Sequence, residues 1–160
     1  MPDALNYRES LDYSWRRVGK ESIQEPGLEP DKGPNMSLVL VIGLSPVNRV
    51  VVSRIVERAG LKVLCEAPHN AQRSLLACHP GTVIADCGCD NSDCDGFVPL
   101  FERSRALHGG SLPLLIMLST AGVQAGGTLL ARLADAIISK PITVEGLQPV
   151  ILRLIEAVQH

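Results

Sequence analysis

Four aspartates and three cysteines fall within eleven residues, DCGCDNSDCDG at 86–96. Carboxylates bind hard cations, and thiolates bind softer ones. A thiolate is also the reactive form of cysteine. The stretch therefore offers three chemistries. Asn91, Asp93, Asp95, Gly96 and Glu102 fit the spacing of a calcium loop, with Asn in place of the first carboxylate. Such a loop needs a helix on each side. Here a β-type run precedes it, and the pattern is read as coincidence. Cys87, Cys89 and Cys94 give C-x-C-x₄-C, three of the four ligands of a closed zinc site, with His79 or a nearby Asp as the fourth. A redox sensor would use the same thiols, but the adjacent carboxylates disfavour the thiolate. A metal- or redox-sensing module on residues 87–95 stands as an alternative to a polar surface loop.

The bulk properties narrow the classes. The chain has 160 residues, a formal net charge of −2 and 46 % hydrophobic residues. That suits one domain with a sizeable core and gives no electrostatic case for nucleic acid. No run approaches the roughly 20 apolar residues of a membrane span. The first residues lack the apolar core of a signal peptide. A cytoplasmic protein without membrane contact is expected. Five cysteines, an odd count, argue for free thiols over a disulfide framework. Cys65 and Cys78 lie in apolar patterns and read as core.

Composition changes near residue 36. Residues 1–35 are polar, end in EPGLEPDKGPN and carry seven acidic and five basic residues. They read as a flexible tail. They hold Tyr7, Tyr13 and Trp15, all the Tyr and Trp of the chain, a candidate docking patch. Residues 36–160 form the folded domain. SLVLVIG at 37–43 is a continuous apolar run, as expected of a strand buried on both faces. Ser45 and Pro46 then cap and start a helix, and Gly60 ends it. Val47, Val51, Ile55 and Arg58 share one side of that helix. LKVLCEA at 61–67, GTVIADC at 81–87, LPLLIML at 112–118 and DAIIS at 135–139 are further strands. Helices fall at 70–79 with Ala71, Leu75 and Leu76 inward, at 97–107, at 128–134, and after Thr143. The last carries an apolar stripe of Leu147, Val150, Ile151, Leu154, Ile155 and Val158. Five β-then-α units imply an α/β fold, a doubly wound five-stranded parallel sheet. Its site lies beyond the carboxyl ends of the strands. Gly43, Leu44, Asp86, Ser119, Thr120 and Lys140 meet there.

Over residues 37–160 the chain resembles the receiver domains of bacterial response regulators. PGTVIAD is similar to the family's third strand ending in the phosphoacceptor Asp. ISKPIT is similar to its Lys-Pro after the fifth strand. CDG at 94–96 resembles the Met-Asp-Gly that opens the third helix, SPVNR the start of the first, and LLIMLST the strand ending in the switch hydroxyl. The resemblance implies a flavodoxin-like (βα)₅ fold. It implies Asp86 as phosphoacceptor, Lys140 as the cation that meets the phosphoryl group, Ser119 and Thr120 as the switch position, and a tight, cis turn at Pro141. It also implies Mg²⁺ held beside Asp86.

The departures fall on that machinery. The acidic pair that helps hold the metal is replaced by Gly43 and Leu44, so Asp86 is left as the one clear metal-binding carboxylate. Mg²⁺ binding is expected to weaken steeply. Asp90 or Asp93 swinging over Asp86 is one way to restore it. Ile137 stands where the family has an aromatic switch residue. The loop after Asp86 is longer than in the family.

The first expectation is a non-enzymatic, single-domain signalling protein of a two-component phosphorelay. It acts through protein–protein contact, with phosphorylation at Asp86 lost or atypical and Asp86–Lys140 retained as a structural ion pair. No output segment is expected after residue 160. The alternatives are an active acceptor phosphorylated on Asp86 by a histidine kinase, and the sensing module on 87–95. The implied partner is a histidine kinase or other signalling protein. It would engage the face of the fourth helix, fifth strand and fifth helix, including Arg132 and Arg153. The domain is expected to be a monomer or weak dimer.

Overall fold

The computed structural model describes residues 33–43, 45–86, 96–120 and 129–159, with only the backbone at Leu129. The tail to residue 32, Leu44 and the cysteine-rich stretch 87–95 lie outside them. The five strands are β1 (Asn35–Gly43), β2 (Lys62–Glu66), β3 (Pro80–Asp86), β4 (Leu114–Ser119) and β5 (Ala136–Ser139). The helices are α1 (Pro46–Arg58), α2 (Ala71–Cys78), α3 (Val98–Leu107), α4 (Leu129–Leu133) and α5 (Val144–Gln159). The strands form one parallel sheet in the order β2-β1-β3-β4-β5. This is the doubly wound order, whose direction reverses between β1 and β3. Asn35, at the tail boundary read from the sequence, already opens β1.

The apolar runs predict this burial. β3 and β4 are buried at every position, whereas edge strand β2 buries only Leu64 and Glu66 and edge strand β5 alternates between partly and fully exposed positions. Side chains of successive residues point to opposite faces of a strand, so each central strand feeds two cores. Leu40, Ile42, Val83, Ala85, Leu115 and Met117 meet α2, α3 and α4 on one face. Val39, Val41, Ile84, Ile116 and Leu118 meet α1 and α5 on the other. Among the described residues, no helix is long and apolar enough to cross a membrane.

Three helices differ from the sequence reading, the last, α5, only in that Val158 at the end of its apolar stripe is exposed. α1 buries Val52, Ile55 and Val56, whereas Val47, Val50 and Val51 are exposed. The run Val50-Val51-Val52 gives three adjacent apolar directions, and packing against β1 and β2 selects the last. α2 buries Ser74 beside Ala71 and Leu75, and Leu76 stays half-buried. Ser74 goes inward because its hydroxyl donates to the buried carboxylate of Glu66, at 2.8 Å.

Local chemistry sets the helix ends nearest the site. Ser45 Oγ accepts from the Asn48 N–H at 3.3 Å, and Pro46 opens α1. At the other end Leu61 N–H reaches Val56 O and Gly60 N–H reaches Glu57 O, with Gly60 at φ +86°. A side chain there would be strained, so glycine closes this turn. Thr143 Oγ1 caps α5 by accepting from Gly146 N–H at 3.0 Å.

Candidate functional site

The register brings the strand ends to one place. Gly43 pairs with Asp86 across β1 and β3, and Ser119 pairs with Ser139 across β4 and β5. The Lys140 N–H donates to Ser119 O at 2.8 Å, which fixes the residue that follows β5. The Lys140–Pro141 peptide bond is cis, as is Leu112–Pro113.

Asp86 is the centre of this end of the sheet. Its side chain is 6 % exposed, and Lys140 Nζ lies 2.6 Å from Oδ1. The second oxygen is also engaged: Asn48 Nδ2 donates to Oδ2 at 3.0 Å. A carboxylate with so little access to water needs such partners. α1 supplies the amide because Ser45 starts the helix just after β1 and directs its first turn across the end of β3. Asn48 lies within SPVNR, and no local signal in the sequence links residues 38 apart.

The neighbouring positions close the site further. Gly43 is buried, and a Cβ there would lie 3.2 Å from the Asp86 carbonyl oxygen and 3.8 Å from Arg49 Cγ. The glycine thus lets β1, β3 and the Arg49 stem approach closely. Ser119 is buried, and its hydroxyl donates to Thr120 O at 3.3 Å. The structure therefore joins Asp86, Lys140 and Asn48 directly, with Gly43, Ser119 and Thr120 on adjacent strand ends.

The sequence matches no family model and no curated protein. By structure, 137 solved chains match. A chemotaxis response regulator of Vibrio cholerae superposes with a TM-score of 0.60 at 20 % identity, covering 75 % of this chain and 99 % of its own. The receiver domain of a sensor histidine kinase from Pseudomonas aeruginosa, with a magnesium ion coordinated in its active-site cleft, gives 0.59 at 20 % identity, covering 76 % and 99 %. A response regulator from Thermotoga maritima gives 0.59 at 19 % identity over the same shares. This chain has the response-regulator receiver fold.

Within a receiver fold the donor set beside Asp86 becomes a test of the implied cation. Mg²⁺ takes oxygen ligands and is usually held by one or two carboxylates and waters. Position 43 offers no side chain, and Asp86 carries the Lys140 ammonium on one oxygen and an amide on the other. Asp86 and Lys140 cancel in charge. Among the described residues no three His, Cys, Asp or Glu side chains gather as a metal site. The described residues of this receiver fold do not fit Mg²⁺. The calcium-like spacing, C-x-C-x₄-C, and Asp90 and Asp93 all fall in the stretch 87–95 outside the described residues. At its far end Gly96 O accepts from Gln72 Nε2 of α2 at 2.9 Å.

The two described cysteines are free. Burial pushes the thiol of Cys65 up from its ordinary value, although a contact of 2.9 Å with Ser53 Oγ works the other way. Burial does the same to Cys78, with help from the nearby Glu66 carboxylate. Both are protonated, packed side chains at neutral pH.

Proposed function

We propose that this protein is a receiver-like signalling module of a two-component pathway that works by protein–protein contact, with phosphorylation of Asp86 lost or atypical. One observation carries the reading: both oxygens of Asp86 are occupied by Lys140 and Asn48. Phosphoryl transfer depends on positioning and on cations that stabilise the charge on the transferred group. Here the acceptor oxygens are engaged, and the strand end beside them is glycine. Among the described residues Lys140 is the cation in contact with Asp86. The pair Asp86–Lys140 instead acts as a structural tie between β3 and the turn after β5, and the chain has no enzymatic role.

Contact with a histidine kinase or another signalling protein is assigned to the face of α4, β5 and α5. Arg132, Ile137, Leu152 and Arg153 are exposed on these elements, with Ile137 at 47 % on the edge strand. An exposed isoleucine on a sheet edge marks a surface that a partner can cover. Neither nucleic acid nor membrane is a partner in this reading, and the protein works in the cytoplasm.

The deciding experiment adds beryllofluoride and Mg²⁺ to the ¹⁵N-labelled protein and records amide shifts of β3, β4 and the Lys140 turn. The expected result is no change that depends on Asp86. Shifts abolished by Asp86→Asn would overturn the reading in favour of an active acceptor.

A further inference from the structure

The outward side of α1 divides into a convex half and a concave half. Val47, Val50, Val51, Arg54, Glu57 and Arg58 fall within an arc of about 120° at 100° per residue, and all six are exposed. Val47 is 70 % exposed, Val50 56 % and Val51 37 %. These three form an apolar ridge on the first half of the helix. Valine is a poor helix former, so propensity gives no reason to place three on a solvent face. The second half borders a groove of about 680 Å³ toward the start of α5. Val51, Ile55, Ile142 and Val144 line it with apolar groups, and Arg54, Glu57 and Arg58 line it with charge.

The charges select what fits. They are of both signs, so the groove favours neither a strongly acidic nor a strongly basic partner. Among the described residues, the side chains of Arg54, Glu57 and Arg58 have no hydrogen-bond or ion-pair partner. A surface with a ridge, a groove and unpaired charges of both signs complements itself when a two-fold axis turns one copy onto another. Two α1 helices set antiparallel about an axis through Arg54 satisfy all three features. The rise per residue then places Glu57 of each copy about 4.5 Å along the helix from Arg54 of the other, within reach of both side chains. The two Arg54 side chains meet near the axis, and each is answered by a Glu57. The same operation lays Val50 and Val51 of each copy over residues 57 and 58 of the other, the half that borders the groove. The stem of Arg58 covers Val50 there. Ridge meets groove twice, as an isologous contact requires. A contact of this size buries on the order of 1,000 Å² over both copies, the low end for specific association.

We propose that the chain forms a weak isologous dimer in which the Val47–Val50–Val51 ridge of each copy fills the α1–α5 groove of the other. The contact is independent of whether Asp86 accepts a phosphoryl group. It covers the outward side of the helix whose Asn48 holds Asp86. Any protein that binds this side of α1 then competes with self-association.

Sedimentation velocity of the full chain between about 10 µM and about 1 mM reads the association. The expected molar mass rises with concentration from 17.2 kDa toward twice that value. Amide shifts on dilution should be confined to α1 and residues 142–144. Val50→Asp should weaken the association about tenfold or more. Arg54→Glu should do the same, because each copy then sets two carboxylates against each other across the axis. Combining Arg54→Glu with Glu57→Arg should restore the association to within about threefold, since the exchanged charges again meet their opposites. All three positions are exposed, and circular dichroism melts check that the fold is kept. A constant monomer mass over the whole range would overturn the proposal. So would a dimer that Val50→Asp leaves unchanged, because another face would then pair. A charge exchange that restores nothing would also overturn it, because Arg54 and Glu57 would not meet across a two-fold axis.

Discussion

Asp86 and Lys140 are unequal members of their pair. The Asp86 side chain is 6 % exposed and that of Lys140 is 23 % exposed. Removing the cation strands a buried carboxylate, whereas removing the carboxylate leaves an ammonium on a long stem that can turn to water. Lys140→Met should therefore cost about 2–4 kcal/mol and Asp86→Asn only about 1 kcal/mol, measured by urea unfolding. Equal costs would show that Lys140 is no freer than Asp86. Asp86 and Lys140 were legible in the sequence because charged residues punctuate apolar strands. Asn48 was not, because a helix-start Asn looks like any other capping-region residue. Cys65 gives a second test at this level. Its folded thiol is raised, so ionisation favours the unfolded chain. Its contribution is complete below the unfolded thiol value near 9.0 and is lost as pH rises through the higher folded value. Stability should fall as pH rises from the first value to the second, and Cys65→Ala should flatten the decline. A decline identical in the variant would remove Cys65 as its source.

Among the elements, the tie that joins α3, β4 and β5 is Arg105. Its Nε donates to Pro113 O at 3.0 Å, Nη1 to Leu133 O at 2.8 Å and Nη2 to Asp135 Oδ2 at 2.7 Å. Asp135 in turn accepts from Leu115 N–H at 2.8 Å, and the guanidinium lies 4.7 Å from the Phe101 ring centre. One planar fork thus holds the start of β4, the end of α4 and the start of β5. Lysine cannot reproduce three directed donors. Arg105→Lys should lose about 2–3 kcal/mol of stability, close to Arg105→Ala, in thermal or urea unfolding. Recovery of most of the loss by lysine would show that charge alone matters there. The sequence showed α3 as a helix and β4 and β5 as apolar strands, because periodicity marks them. It did not show this tie, whose members are separated by 8 to 30 residues. Nor did it show which side of α1 faces inward, since a run of three valines has no single apolar direction.

In the molecule as a whole, a receiver fold with a two-sided apolar core carries the Asp86–Lys140 pair at the carboxyl end of its sheet. Asp86 and Lys140 neutralise each other, and the buried Gly43 adds nothing. Restoring carboxylates by Gly43→Asp with Leu44→Asp tests whether those two positions are the reason. Two added carboxylates make this end of the sheet more acidic and supply the hard oxygen donors that Mg²⁺ prefers. The change carries a packing cost, because a Cβ at position 43 meets the Asp86 carbonyl oxygen at 3.2 Å. The strand ends must part slightly, and the clustered carboxylates repel each other. The double variant should therefore be less stable than the parent by about 1–2 kcal/mol without metal. A ligand that binds only the folded state raises its stability with concentration. Millimolar Mg²⁺ should consequently raise the melting temperature of the double variant and leave that of the parent unchanged. A rise in the parent would show that Asp90 or Asp93 already supplies the donors missing at 43 and 44. No rise in either protein would show that the Lys140–Asp86–Asn48 arrangement excludes the cation even when the acidic pair is present.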